Sequence, residues 1–165
     1  MRRFLVISAV LTALTVPLAR AGTTQGDGTL SVKKGRGMLM LKLKGTVIGR
    51  VNTSGRVQIR DFKPFDANNP QLTCKPKPRH LSLGVTLCTG KNIVFRVDDG
   101  RFNVSVKGNG ISISAVGRGS FDVDGTGETG VPDGLMSIDN GPYQSLPDAK
   151  TTFYLGTPPP PPTVR

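Results

Sequence analysis

Short runs in which apolar and polar side chains strictly alternate constrain this chain more than any other feature. Apolar residues fall at 39, 41 and 43, at 57 and 59, at 81, 83, 85 and 87, at 102, 104 and 106, at 111, 113 and 115, and at 121 and 123. Successive side chains of a strand point to opposite faces, so a two-residue period means one buried and one solvated face. No stretch sustains the longer period of an amphipathic helix. Composition closes the helical alternative: the 165 residues include 21 Gly and 13 Pro, but Glu128 is the single glutamate. Gly and Pro are the poorest helix formers and Glu is among the better ones.

The expected fold is therefore all-β, an antiparallel meander of about ten short strands. A barrel-like closure is preferred because it removes exposed edges, and a two-sheet β-sandwich is the alternative. The predicted core is Leu39, Leu41, Val57, Ile59, Leu83, Val85, Ile93, Phe95, Phe102, Val104, Ile111, Ile113, Phe121 and Val123. Asp99-Gly100, Asn109-Gly110 and Asp124-Gly125 read as tight hairpin turns, since these pairs accept positive φ. The interval 62–80, with Pro64, Pro70, Pro76 and Pro78, reads as one long loop. A Gly-Arg pair followed by an alternating run recurs at Gly35-Arg36, Gly55-Arg56, Gly100-Arg101 and Gly117-Arg118. The irregular spacing argues against a fixed-period solenoid; shared turn chemistry is favoured over a duplicated β-unit.

Residues 1–21 have the three parts of an export signal: basic Arg2-Arg3, an apolar run from Phe4 to Leu18, and Ala19-Arg20-Ala21 as a cleavage pattern. The apolar run is too short for a bilayer span and is broken by Pro17. The expectation is a secreted, extracytoplasmic protein cut near Ala21, with a single all-β domain over 22–156 and no transmembrane segment in the mature chain. Residues 157–165 form a Pro-rich tail, whose five prolines at 158–162 cannot join a sheet. Cys74 and Cys88 are the two cysteines. In an oxidising compartment an even count predicts a disulfide, and no C-x-x-C spacing suggests a metal site.

Catalytic signatures are missing. There is no G-x-S-x-G elbow, and His80 is the one histidine. Aromatic platforms for sugars or bases are scarce, with no Trp and two Tyr. No cofactor is expected. Asp122, Asp124, Thr126 and Asp133 fall at positions 1, 3, 5 and 12 of a calcium-type loop. The flanking strands and the Thr and Asp at positions 5 and 12 depart from that pattern, so a solvated strand face is the better reading.

Charge carries the most functional content. Residues 22–118 hold 17 Lys/Arg against 5 acids, or +12, whereas residues 119–165 hold 2 against 6, or −4. Such asymmetry points to an anionic partner, and export rules out intracellular nucleic acid. The candidate polyanion-binding residues are Lys33, Lys34, Arg36, Lys42, Lys44, Lys75, Lys77, Arg79 and His80. Lys42 and Lys44 alternate with Leu41 and Leu43 and so share one outer face.

The segments Gly28-Thr-Leu-Ser-Val-Lys-Lys-Gly-Arg-Gly37 and Ala115-Val-Gly-Arg-Gly119, behind an export signal, resemble small exported β-rich proteins of actinobacteria. The resemblance spans most of residues 28–125, implies a bacterial, exported, all-β protein and contributes no catalytic residue. The leading expectation is a non-enzymatic exported domain that binds an anionic cell-envelope polymer or lipid surface through its basic N-terminal half. The alternatives are a secreted hydrolase with its site in the 62–80 loop around His80, and a passive structural component of the envelope.

Overall fold

The computed structural model describes residues 26–65, 70–76, 78–98 and 100–157. The leader, Lys77, Asp99 and the run of five prolines lie outside the described residues. The chain forms ten strands: β1 (Gly28–Val51), β2 (Gly55–Asp61), β3 (Gln71–Lys75), β4 (Arg79–Ser82), β5 (Val85–Gly90), β6 (Ile93–Asp98), β7 (Arg101–Asp124), β8 (Leu135–Ile138), β9 (Gln144–Ser145) and β10 (Thr151–Leu155). They make one antiparallel sheet, curled barrel-like, with the order β3-β6-β1-β7-β2-β5-β4 along its main path.

Two strands of 24 residues, β1 and β7, build the centre. Each pairs with the other along both of its edges. Gly28 to Lys44 of β1 run against Gly117 to Arg101, and Met38 to Val51 run against Asp124 to Ile111. One half of the sheet therefore reads β8, β1, β7, β1, β6, β3, and the other reads β10, β7, β1, β7, β2, β5, β4. A single cluster fills the interior, with Phe95, Phe102, Phe121, Leu39, Leu41, Ile93 and Ile111 among its members. Each such side chain stabilises the fold by about 1.5–3 kcal/mol relative to exposure.

Keeping one face buried along so long a strand requires the alternation to slip at the bends. In β1 the inward residues are even at Leu30 and Val32, then odd from Leu39. The slip coincides with a bulge between Val32 and Arg36, where Lys34 has φ 53°. In β7 they pass from even (Phe102, Val104, Val106) to odd (Ile111, Ile113, Ala115) across Gly108 and Gly110. Asn109-Gly110 thus lies inside a strand rather than at a hairpin, because the chain there exchanges partner β2 for β1 without reversing. Asp124-Gly125 closes no hairpin either: the chain runs on through a loop to β8, which pairs with β1.

Two further expectations are corrected. The interval 62–80 is not one loop, since β3 pairs with β6 inside it and β4 begins at Arg79. Leu83 is not core: it is 65% exposed, and Val85 is half-buried. The alternation through Leu81, Leu83 and Val85 is broken by a turn, with Gly84 at φ 69° and Ser82 pairing with Val85. The apolar residues before that turn lie on an edge strand that reaches no interior. The other twelve predicted core residues are buried.

The predicted disulfide joins Cys74 to Cys88, with Cα atoms 6.6 Å apart. Its position matters more than its loop length. Cys74 lies on β3 at one end of the sheet, and Cys88 lies on β5 near the other. The bridge ties the two ends of the curled sheet together.

Candidate functional site

Lys42 and Lys44 do share an outer face, and the long-range register gives them company. Lys44 lies opposite Arg101 on one side and Arg118 on the other, while Lys42 lies between Asn103 and Ser120. Lys42, Lys44, Arg101, Asn103 and Arg118 line a groove of about 500 Å³ together with Phe62, a volume within the range of small-ligand clefts. The buried Leu43 and Phe102 anchor its strands from the inside.

The charges in this groove are poorly compensated. Arg118 meets Asp27 at 3.0 Å. Among the described residues no carboxylate pairs with Lys42, Lys44 or Arg101. Like charges directly opposite each other on neighbouring strands are destabilising, by a few tenths to about 1 kcal/mol per pair. Three cations in one cross-strand row therefore cost stability unless an anion sits among them. Asn103 adds a second unmet demand, because its Oδ1 is buried without a hydrogen-bond partner. A ligand carrying anionic oxygens would offset the row of cations.

The other predicted basic residues lie elsewhere. Lys33 places its Nζ 4.0 Å from the centre of the Tyr143 ring. The Ser31 hydroxyl and Lys33 hold the Tyr143 phenol below its usual pKa. Lys34 occupies the bulge described above. Arg36 forms an ion pair with Glu128 at 3.0 Å. Lys75 is in register with Val94, whose other neighbour is Arg50, on the β6 side of the sheet. Arg79 is exposed on β4. His80 shares a shallow pocket of about 230 Å³ with Asp61, Pro64 and Leu83, and its Nδ1 lies 3.1 Å from the Thr86 hydroxyl. Lys77 lies outside the described residues.

The aspartates of the calcium-type pattern do not converge. Asp122 accepts from the Thr152 hydroxyl at 2.8 Å and lies 3.7 Å from Lys150 Nζ. Asp133 is 3% exposed and caps its own loop. It accepts from the Thr126 hydroxyl (2.5 Å), the Thr126 backbone N–H (2.7 Å) and the Gly127 backbone N–H (3.2 Å). Burial pushes its pKa up, but these donors and the nearby Arg36 charge outweigh that and hold it below the usual aspartate value. A carboxylate surrounded by N–H and O–H donors is arranged as an anion acceptor of hydrogen bonds, not as a cation ligand. No group of three or more potential metal ligands occurs among the described residues.

Sequence reasoning misses Arg101 and Arg118 as members of this groove. Their one signal is the Gly-Arg repeat, which supplies both arginines that flank Lys44. No protein-family model matches the chain. No curated protein matches it, and neither does any solved structure.

Proposed function

We propose that this protein is an exported, non-enzymatic binding domain whose basic groove takes an anionic component of the cell envelope. The observation that carries this reading is the row Arg101–Lys44–Arg118, three cations on adjacent strands lining a cleft with one carboxylate to offset them. The groove extends the basic N-terminal half of the chain into a defined place. Export is supported by the leader pattern in residues 1–21 and by the Cys74–Cys88 bridge, which belongs to oxidising compartments. No helix among the described residues is long and apolar enough to cross a membrane.

The test is titration of the protein with inorganic polyphosphate over a series of salt concentrations. Affinity should fall steeply with salt, because each cation that releases a counterion contributes to the slope. The K42S/K44S/R101S variant should bind about a hundredfold more weakly, at about 1 kcal/mol per cation. Wild-type binding that ignores salt, or a variant that binds as tightly as wild type, would overturn the reading.

A further inference from the structure

Beside the groove the protein exposes apolar side chains that its own fold does not use. Phe65 is 86% exposed and Phe62 56% exposed, both in the segment after β2. Leu83, at the β4–β5 turn, is the third. These residues are not scattered. The Asp61 N–H donates to the Gly84 carbonyl at 2.8 Å, and Pro64 packs so closely on Gly84 that a Cβ there would lie 3.2 Å from its ring. Pro64 and Leu83 line the same small pocket, and Phe62 lines the basic groove itself. Lys63 stands between the two phenylalanine-bearing positions.

We infer that this tip docks on an anionic lipid bilayer, with Phe62, Phe65 and Leu83 entering the boundary between headgroups and acyl chains while Lys42, Lys44 and Arg101 hold lipid phosphates. The inference rests on the reading of the groove as an anion site and names its partner. Charge complementarity selects the occupant: the apolar tip is bordered by cations without carboxylate partners, the pairing that an anionic membrane surface rewards. A soluble polyanion would engage the cations and leave Phe65 in water.

The experiment is co-sedimentation of the protein with vesicles of phosphatidylcholine alone or mixed with phosphatidylglycerol, alongside the polyphosphate titration. Binding should require phosphatidylglycerol. The F65S/L83S variant, which spares the groove lining, should lose at least tenfold in vesicle affinity while binding polyphosphate as wild type does, and each groove cation removed should cost about fivefold on vesicles. A Phe65→Trp variant should show blue-shifted indole emission that brominated acyl chains quench. Polyphosphate binding without vesicle binding would overturn this inference and leave the groove reading standing. Vesicle binding that F65S/L83S leaves unchanged, or indole emission from the Phe65→Trp variant that does not shift, would also overturn the inserted tip. Failure with both ligands would overturn both readings.

Discussion

Gly45 and Gly117 are cross-strand partners at the point where one edge of β1 exchanges β7 for β6. Their φ angles are 156° and 151°, a region that L side chains rarely adopt. The backbones also approach too closely for a side chain. A Cβ on Gly45 would lie 2.7 Å from the Gly117 Cα, and one on Gly117 would lie 2.9 Å from the Gly45 Cα. Each would in addition strike a carbonyl oxygen of the opposite strand. The corner of the curled sheet depends on this contact.

Gly117→Ala should therefore destabilise the fold by about 3 kcal/mol, combining strained φ with overpacking. Gly45→Ala should cost a similar amount. Because the two share one contact, the double variant should lose less than the sum of the two single losses. Urea denaturation midpoints at constant m-value would measure all three. A loss below about 0.5 kcal/mol for Gly117→Ala would mean that the corner relaxes freely.

The Cys74–Cys88 bridge makes a second stability prediction. It closes a loop with a sequence separation of 14 and also links opposite ends of the sheet. Loop closure alone gives about 3 kcal/mol. Replacing both cysteines with Ala should cost that amount, plus a smaller packing loss at the fully buried Cys88. Hydrogen exchange should locate the loss: amides of β3 and β5 should lose protection before those at the β1–β7 centre. Uniform loss across the sheet would mean that the bridge does more than close the curl.

The alternating runs at Leu39–Leu43, Phe102–Val106 and Ile111–Ala115 were legible because burial there follows the strand period directly. Leu83 was not, because its exposure follows from the turn at Gly84 and from the edge position of β4. Asn109-Gly110 carries the local signature of a hairpin, yet the chain stays extended there because β1 is available as a new partner beyond it. The basic groove was half legible. Lys42 and Lys44 follow from alternation within one strand, but Arg101 and Arg118 join them only through the double register of β1 against β7. That register is set by packing of the whole core and has no local signal. The Gly-Arg-Gly segments at 35–37 and 117–119 lie within the two long strands, β1 and β7.

Asp133 predicts a pH dependence. Its folded pKa is depressed, so its contribution is complete above the unfolded aspartate value of about 3.9 and fades as pH falls towards the folded value. Asp133→Asn should cost about 2 kcal/mol at neutral pH, because two backbone N–H groups and the Thr126 hydroxyl lose a charged acceptor. The gap between wild type and variant should stay constant above about pH 5 and narrow below about pH 4. Denaturation at a series of pH values would measure it. A gap that widens on acidification would contradict the assigned direction.

The last prediction sets stability against binding at Lys44. Lys44 lies between Arg101 and Arg118 on neighbouring strands, with Asp27 offsetting the second of these. Lys44→Thr removes the central charge and places a good strand former on a solvated face. Relief of repulsion should leave the variant as stable as wild type or more stable, by up to about 1 kcal/mol at low salt, with the difference shrinking as salt screens the remaining charges. Polyphosphate affinity should fall about fivefold in the same variant. The opposite signs are the diagnostic. A side chain that only solubilises the surface would move neither quantity, and one that holds the sheet together would lower stability. A gain in stability paired with a loss in binding marks a charge kept in place for its ligand.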